Sequence, residues 1–191
     1  QGRSYDDKDS LSYEMMADDL NELLNTLKIE SCNVLGWSDG GINGLLLAIR
    51  HPEKVKKLAI TGANLWPDTS AVTKEVYDWA LNYNEELKNV YASPEIKTNR
   101  KLAHLMSYAP HISTRELKKI TCPTLVIAGE HDIILTKHTV RIAESIPNSY
   151  LWIMPNSGHS TPIFYKEQFN EGVYDFYRKP YRRIEGMDRA N

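Results

Sequence analysis

The chain has 191 residues, about the length of one domain. Hydrophobic residues make up 41% of it, charged residues make up 25%, and the formal net charge is −2. This composition excludes a disordered or collagen-like chain, and the charge gives no reason to expect binding to nucleic acid or to an anionic membrane. The longest apolar run, around residues 45–49, is too short to cross a bilayer. Cys32 and Cys122 lie beside predicted strands and outside any metal-binding spacing, so we expect reduced core thiols.

Short predicted strands alternate with predicted helices along the chain. An apolar period of helical type covers residues 11–28, with Ser10 or Ser12 as its cap. Strands are predicted at residues 32–36, 57–62, 124–128 and 150–154, and further helices at residues 39–50, 137–146 and 163–177. This alternation predicts an α/β fold with a mostly parallel sheet of about four strands and helices on both faces.

One long segment, residues 64–115, interrupts this alternation. It contains polar helical patterns and no predicted strand, so we interpret it as a helical lid over the site; the alternative is a long crossover helix with loops. The predicted organisation is therefore a first core part at residues 1–63, the lid, a second core part at 116–178, and a tail at 179–191. The tail is basic and polar, which is typical of a frayed terminus.

A glycine–serine motif, G-W-S-D-G, occupies residues 36–40, between a predicted strand and a predicted helix. At such a junction the serine stands on a strained turn, so that its hydroxyl is clear of the sheet. The flanking glycines let the two backbones pass without Cβ clashes. We therefore predict that Ser38 is a nucleophile.

A serine nucleophile needs a base, and the base needs a carboxylate that orients it. Asp132 follows the strand at 124–128, and His159 follows the strand at 150–154. Like Ser38, both lie at the carboxyl edge of the predicted parallel sheet, where catalytic groups collect. This placement predicts a catalytic triad of Ser38, His159 and Asp132. Glu130 and His131, which flank Asp132, are weaker candidates.

Four remaining histidines are interpreted as surface or lid residues: His51, His104, His111 and His138. Of these, His104 and His111 fall in the predicted lid and could approach a substrate. No group of ligand-type residues has the spacing of a metal site, and there is no glycine-rich phosphate loop. We therefore expect no metal and no organic cofactor.

Asp39 directly follows the predicted nucleophile at the start of a helix. Its backbone N–H is expected to be one donor of an oxyanion hole. Its side chain has two interpretations that the residues alone leave equal. One is a favourable interaction with the helix dipole. The other is a carboxylate that pairs with a cationic group of the substrate.

Residues 36–41, the chain order Ser-Asp-His and the opening Gly2-Arg3-Ser4 resemble the α/β-hydrolase superfamily. Residues 35–42 and 62–64 resemble, more narrowly, its valacyclovir hydrolase (biphenyl hydrolase-like) group. This resemblance implies that Asp39 holds the α-amino group of amino-acid esters. It also implies that Trp37 and Asn64 belong to the oxyanion or substrate-binding region.

The resemblance also implies that the fold is truncated. Members of the superfamily usually have eight strands, whereas four are identified here, and the absent part includes the His-Gly loop that supplies a second oxyanion donor. The strand at residues 32–36 would then have an unpaired edge. Such an edge is a template for pairing, so we expect a partner strand against it or a homodimer through it.

The expected function is hydrolysis of small carboxylic esters or lactones through an acyl-enzyme. The same triad also serves C–C bond hydrolases, aminopeptidases and cofactor-free haloperoxidases. A different alternative is a catalytically impaired fragment that acts as a binding or assembly module. The expected partner is a small ester or lactone, with no nucleic acid and no membrane. The N-terminus shows no signal peptide. A cytoplasmic location is expected.

Overall fold

A computed structural model describes residues 10–91 and 93–184 of the chain. Within these residues four strands form one parallel sheet in the order β1-β2-β3-β4: β1 (Cys32–Trp37), β2 (Val55–Thr61), β3 (Thr124–Gly129) and β4 (Ser149–Met154). The helices are α1 (Tyr13–Thr26), α2 (Asp39–Arg50), α3 (Lys74–Lys88), α4 (Pro94–Tyr108), α5 (Thr114–Leu117), α6 (Thr136–Ser145), α7 (Thr161–Phe164) and α8 (Lys166–Arg178). The predicted α/β fold with a parallel sheet is confirmed.

The predicted elements differ from the observed ones in a few details. Ser12 is the cap of α1, because its side chain accepts the Met15 N–H at 3.2 Å. The single helix predicted at residues 163–177 is two helices, since Tyr165 between them has the non-helical angles φ −121° and ψ 36°. Cys32 and Cys122 are free but only half-buried. The segment Gly2-Arg3-Ser4 lies outside the described residues.

Alternating side chains of the strands explain why helices cover both faces of the sheet. On β2, Leu58 and Ile60 pack into a core with α1, α2 and α6, whereas Ala59 between them belongs to a second core beneath α8. Residues 41–48 of α2 are all buried, because α1 packs on the side of α2 that faces away from the sheet. The middle of α2 is therefore fixed in the interior of the fold, whereas the turn at Ser38 that precedes it, which we call the elbow, lies at its more exposed N-terminal end.

β1 lies at one edge of this sheet. Among the described residues no strand pairs with its outer side, and its Leu35 and Trp37 side chains are 49% and 38% exposed. Unpaired backbone groups next to exposed apolar side chains favour pairing with another strand. The truncated fold and the homodimer through residues 32–36 stay predictions.

The segment 64–115 contains two packed helices, α3 and α4. Its two ends lie side by side, and we call the place where they meet the neck of the segment. There, the Ile112 N–H donates to the Leu65 carbonyl at 2.8 Å. The first loop of the segment is also tied to the loop after β3, since the Leu135 N–H donates to the Ala71 carbonyl at 2.9 Å. The predicted end of the segment at residue 115 falls inside α5.

The first residues of the tail, 179–184, lie against the sheet. The Tyr150 hydroxyl donates to the Arg182 carbonyl at 2.7 Å, and the Tyr181 ring lies 4.8 Å from the Tyr150 ring. This part of the tail is therefore tied to β4 and is not frayed.

Candidate active site

Ser38 is the single residue between the end of β1 at Trp37 and the start of α2 at Asp39. Its backbone angles are φ 56° and ψ −121°, a region that non-glycine residues rarely adopt. Its N–H donates to the Thr61 carbonyl at 2.9 Å, and its own carbonyl accepts the Gly41 N–H at 2.8 Å. The strained turn is thus held from both sides. The hydroxyl makes no capping hydrogen bond to α2, so it is free for another partner.

The two glycines of the motif differ in what they do. A Cβ on Gly36 would lie 2.1 Å from the Gly40 carbonyl oxygen, so β1 and α2 touch there through backbone atoms. A Cβ on Gly40 would find no atom within 4 Å. The expectation of close backbone passage is confirmed for Gly36 and is wrong for Gly40, which lies exposed at the start of α2. A second close approach is at Gly41, where an added Cβ would lie 2.9 Å from the Ala63 Cβ.

Ser38, His159 and Asp132 form one hydrogen-bonded chain. The Ser38 Oγ lies 3.0 Å from the His159 Nε2, and the His159 Nδ1 lies 2.8 Å from the Asp132 Oδ1. An ionised carboxylate can only accept a hydrogen bond, so Nδ1 carries the proton and Nε2 is left to accept the serine hydroxyl. This arrangement can remove a proton from Ser38.

The Asp132 carboxylate is fully buried, whereas 20% of the His159 side chain is exposed. The Ile134 N–H donates to Asp132 Oδ1 at 3.0 Å, and Oδ2 has no partner among the described residues. Asp132 thus holds the His159 imidazole through Nδ1 from a fully buried position, which fixes the orientation of the ring relative to Ser38.

Asp39 is exposed at the first position of α2 and has a buried partner. The Tyr13 hydroxyl on α1 donates to the Asp39 Oδ1 at 2.7 Å, and Tyr13 is 2% exposed. Burial, together with the negative charge of Asp39, raises the pKa of Tyr13 far above its usual value. Tyr13 is therefore a permanent donor that fixes the carboxylate. No sequence motif marks Tyr13.

The two other residues predicted at the site make contacts within the protein. The Trp37 indole Nε1–H donates to the His159 carbonyl at 2.9 Å, and the two rings lie 6.0 Å apart. The Asn64 side-chain amide donates to the Trp66 carbonyl at 3.0 Å within the loop after β2. The structure thus brings Trp37 to His159, while roles for Trp37 and Asn64 in substrate binding stay predictions.

The weaker candidates lie away from this chain of hydrogen bonds. The side chains of Glu130 and His131 are 54% and 72% exposed, and the Glu130 Oε2 accepts the Asn156 N–H at 3.0 Å. Among the residues that the structure describes, no three His, Cys, Asp or Glu side chains are grouped so that they could hold a metal ion.

The interpretation of His138 as a surface or lid residue is wrong. His138 is 1% exposed, and its Nε2 accepts the Leu65 N–H at 3.0 Å. Burial, with a smaller effect of Arg141, lowers the pKa of His138 to about 4, so the ring stays neutral and keeps this acceptor near neutral pH. His138 therefore anchors the neck of the segment 64–115.

Comparison with known proteins agrees with this architecture. Human serine hydrolase BPHL is 28% identical over 178 residues, which cover 86% of this chain and 60% of BPHL. The chain thus spans three-fifths of that relative's length. The putative carbamate hydrolase RutD of Serratia proteamaculans (strain 568) is 28% identical over 197 residues, covering 85% of this chain and 71% of RutD.

The fold also recurs in solved structures. The α/β hydrolase MGS-M2, from a Medee basin deep-sea metagenome library, superposes with a TM-score of 0.78 at 21% identity, covering 97% of this chain and 79% of MGS-M2. Residues 1–102, more than half of the 191, match the alpha/beta hydrolase fold family. The chain therefore belongs to the α/β-hydrolase fold family.

Proposed function

We propose that this chain is a serine hydrolase of small carboxylic esters or lactones, with Ser38 as its nucleophile. The observation that carries the proposal is the hydrogen-bonded chain from Ser38 through His159 to the buried Asp132. Acyl transfer by a serine uses this arrangement: the nucleophile is hydrogen-bonded to the base, and the base is hydrogen-bonded to the carboxylate that orients it. The human relative, which is named a serine hydrolase, supports the same chemistry.

In the proposed reaction, Ser38 Oγ attacks the substrate carbonyl while His159 Nε2 takes up its proton. Asp132 stabilises the imidazolium that results. His159 then gives this proton to the departing alkoxide, which leaves as an alcohol and forms the acyl-enzyme. His159 next removes a proton from water, which attacks the acyl group, and returns it to Ser38 as the acid is released.

The negative oxygen formed during attack needs donors. The Asp39 N–H occupies the first position of α2, where a helix leaves N–H groups without intrahelical partners and its dipole favours negative charge. We propose it as one oxyanion donor. No described residue is assigned as the second donor, and the loss of one donor lowers kcat by about 10²–10³ in a well-studied serine protease.

A second candidate function is a catalytically impaired chain that serves as a binding or assembly module. The observation that favours it is the edge of β1, which is unpaired among the described residues and leads directly to Ser38. A partner strand on that edge would lie next to the nucleophile.

We propose residues 64–115 as a lid that shapes the substrate pocket. The support is the attachment of this segment to the loop that carries Asp132: the Thr73 N–H donates to the Ile133 carbonyl at 2.8 Å, directly after Asp132 in the chain. Movement of the segment at this point would displace the loop that carries Asp132.

We expect a fluorophosphonate probe to label the wild-type chain and Ser38→Ala to abolish this labelling. The probe needs a serine whose hydroxyl is activated by a base, and among the described residues Ser38 is the serine that His159 Nε2 contacts. Intact-mass measurement would show the added probe. The matched control is Ser160→Ala, which changes the serine after His159 and should label like wild type. A folded wild-type chain that takes up no probe would contradict the hydrolase and favour the binding module.

For substrate recognition, we propose that Asp39 pairs with the amino group of α-amino esters. Asp39→Asn should then lower kcat/KM for such esters about tenfold more than for matched neutral esters, as expected for a hydrogen bond to a charged group. Steady-state kinetics on ester pairs would measure this ratio. Asp175→Asn, which changes an exposed carboxylate on α8, is the control. An equal loss on both ester classes would contradict the recognition role.

The location of the protein in the cell stays a prediction. No helix in the described part of the chain is both long and apolar enough to cross a membrane.

A further inference from the structure

The strand order makes His159 reach across the sheet. Ser38 follows β1, whereas Asp132 and His159 follow β3 and β4. Neighbouring strands lie about 4.8 Å apart, so an imidazole that starts at β4 must pass over the end of β2 to meet Ser38. The residue that ends β2 therefore determines where the ring can lie.

That residue is Gly62, directly after β2. It is buried and has a φ of +63°, which favours glycine. A Cβ here would lie 2.7 Å from the His159 Cε1, 2.9 Å from its Nδ1 and 3.5 Å from the Asp132 Oδ2. The imidazole ring therefore packs directly on the Gly62 backbone, beside the Nδ1 atom that is hydrogen-bonded to Asp132.

Gly62 is itself tied to both neighbouring strands. Its N–H donates to the Ile127 carbonyl of β3 at 3.4 Å. The preceding Thr61 carbonyl accepts the Ser38 N–H at 2.9 Å. The surface beneath the ring is thus fixed relative to the nucleophile on one side and to the strand that leads to Asp132 on the other.

Trp37 holds the same histidine from β1. It is the residue before Ser38, and its indole N–H donates to the His159 backbone carbonyl at 2.9 Å, across 122 residues of chain. Ser38 meets the ring of His159 at 3.0 Å. Two consecutive residues of the elbow therefore hold the backbone and the side chain of one histidine.

We infer that Trp37 and Gly62 are positioning residues for His159. Trp37 fixes the histidine backbone, Gly62 fixes the plane of the ring, and both act through His159. The inference rests on the proposed function, since it assigns these two residues to the placement of the base.

The first test is Gly62→Ala. Contacts of 2.7 Å to a Cβ do not persist, so the imidazole must move by about 1 Å, and a displacement of that size lowers rates about 10²-fold. We expect such a loss in the second-order rate of fluorophosphonate labelling. The low-field proton resonance of His159 Nδ1, which reports its bond to Asp132, should disappear. The control is Gly158→Ala, whose Cβ would lie 3.6 Å from the nearest atom outside its chain neighbours; both readouts should persist.

The second test is Trp37→Phe, which keeps an aromatic ring but removes the donor. Trp37 is 38% exposed, so the variant should fold. The loss of one hydrogen bond should lower kcat about fivefold and leave KM unchanged. Trp152→Phe removes an indole N–H on β4, beneath α8, and is the matched control.

A wild-type kcat in Trp37→Phe, together with a wild-type labelling rate and an unchanged Nδ1 resonance in Gly62→Ala, would overturn the inference. If Gly62→Ala does not fold, the kcat and KM of Trp37→Phe decide alone. The failure of the proposed function is a separate result: it appears as a folded wild-type chain that takes up no probe, or as labelling that survives Ser38→Ala. The Nδ1 resonance requires no turnover, so it still reports the position of His159 in that case.

Discussion

Asp132→Asn is expected to lower the rate of acylation by about 10⁴, the effect of the same replacement in a well-studied serine protease. The asparagine amide would donate to His159 Nδ1 where the carboxylate now accepts at 2.8 Å. Nδ1 would then become the acceptor and Nε2 would carry the proton that faces Ser38. A base with its proton on that side cannot accept another from the serine. Stopped-flow or labelling kinetics would measure the loss.

The matched control for this prediction is Glu130→Gln. Glu130 lies two residues earlier in the same loop and also makes a hydrogen bond, but its side chain is 54% exposed. Its replacement should change the acylation rate less than about twofold, as for an exposed polar group. Equal losses in the two variants, or no loss in Asp132→Asn, would contradict the assignment of Asp132 as the orienting carboxylate.

The positions of Ser38, Asp132 and His159 could be predicted from the sequence because a parallel sheet simplifies the problem. Each residue comes within a few positions of the end of a short apolar run, and the carboxyl ends of parallel strands share one edge. The observed distances between the three side chains follow from this rule and from the strand order. Local pattern and topology together were sufficient for these residues.

The contacts around these residues could not be predicted in the same way. Tyr13 and Asp39 are 26 residues apart, and Leu65 and His138 are 73 apart. Each pair depends on how one element packs on another, which periodicity does not encode. His138 had a weak signal, since it shares a helix face with the buried Ile142, four residues later in α6. Gly62 was marked only as a glycine at the end of a strand, within the short resemblance at residues 62–64.

Gly36→Ala is expected to lower the free energy of unfolding by more than about 3 kcal/mol. Its Cβ would lie 2.1 Å from the Gly40 carbonyl oxygen and 2.7 Å from the Gly41 nitrogen. These are backbone atoms, so a rotamer change cannot relieve the clash, and the start of α2 must move away from β1. Such a shift also moves Ser38, so the labelling rate should fall with stability. Urea denaturation would measure the change.

Gly40→Ala is the matched control, because it adds the same methyl group to the same motif. Its Cβ would find no atom within 4 Å, and alanine is the better helix former by up to about 1 kcal/mol, so stability should stay unchanged or rise slightly. The contact between β1 and α2 would then require a glycine at position 36 but not at position 40. If both replacements destabilise the protein equally, the motif needs its glycines for backbone conformation, and the close approach at Gly36 does not account for the elbow.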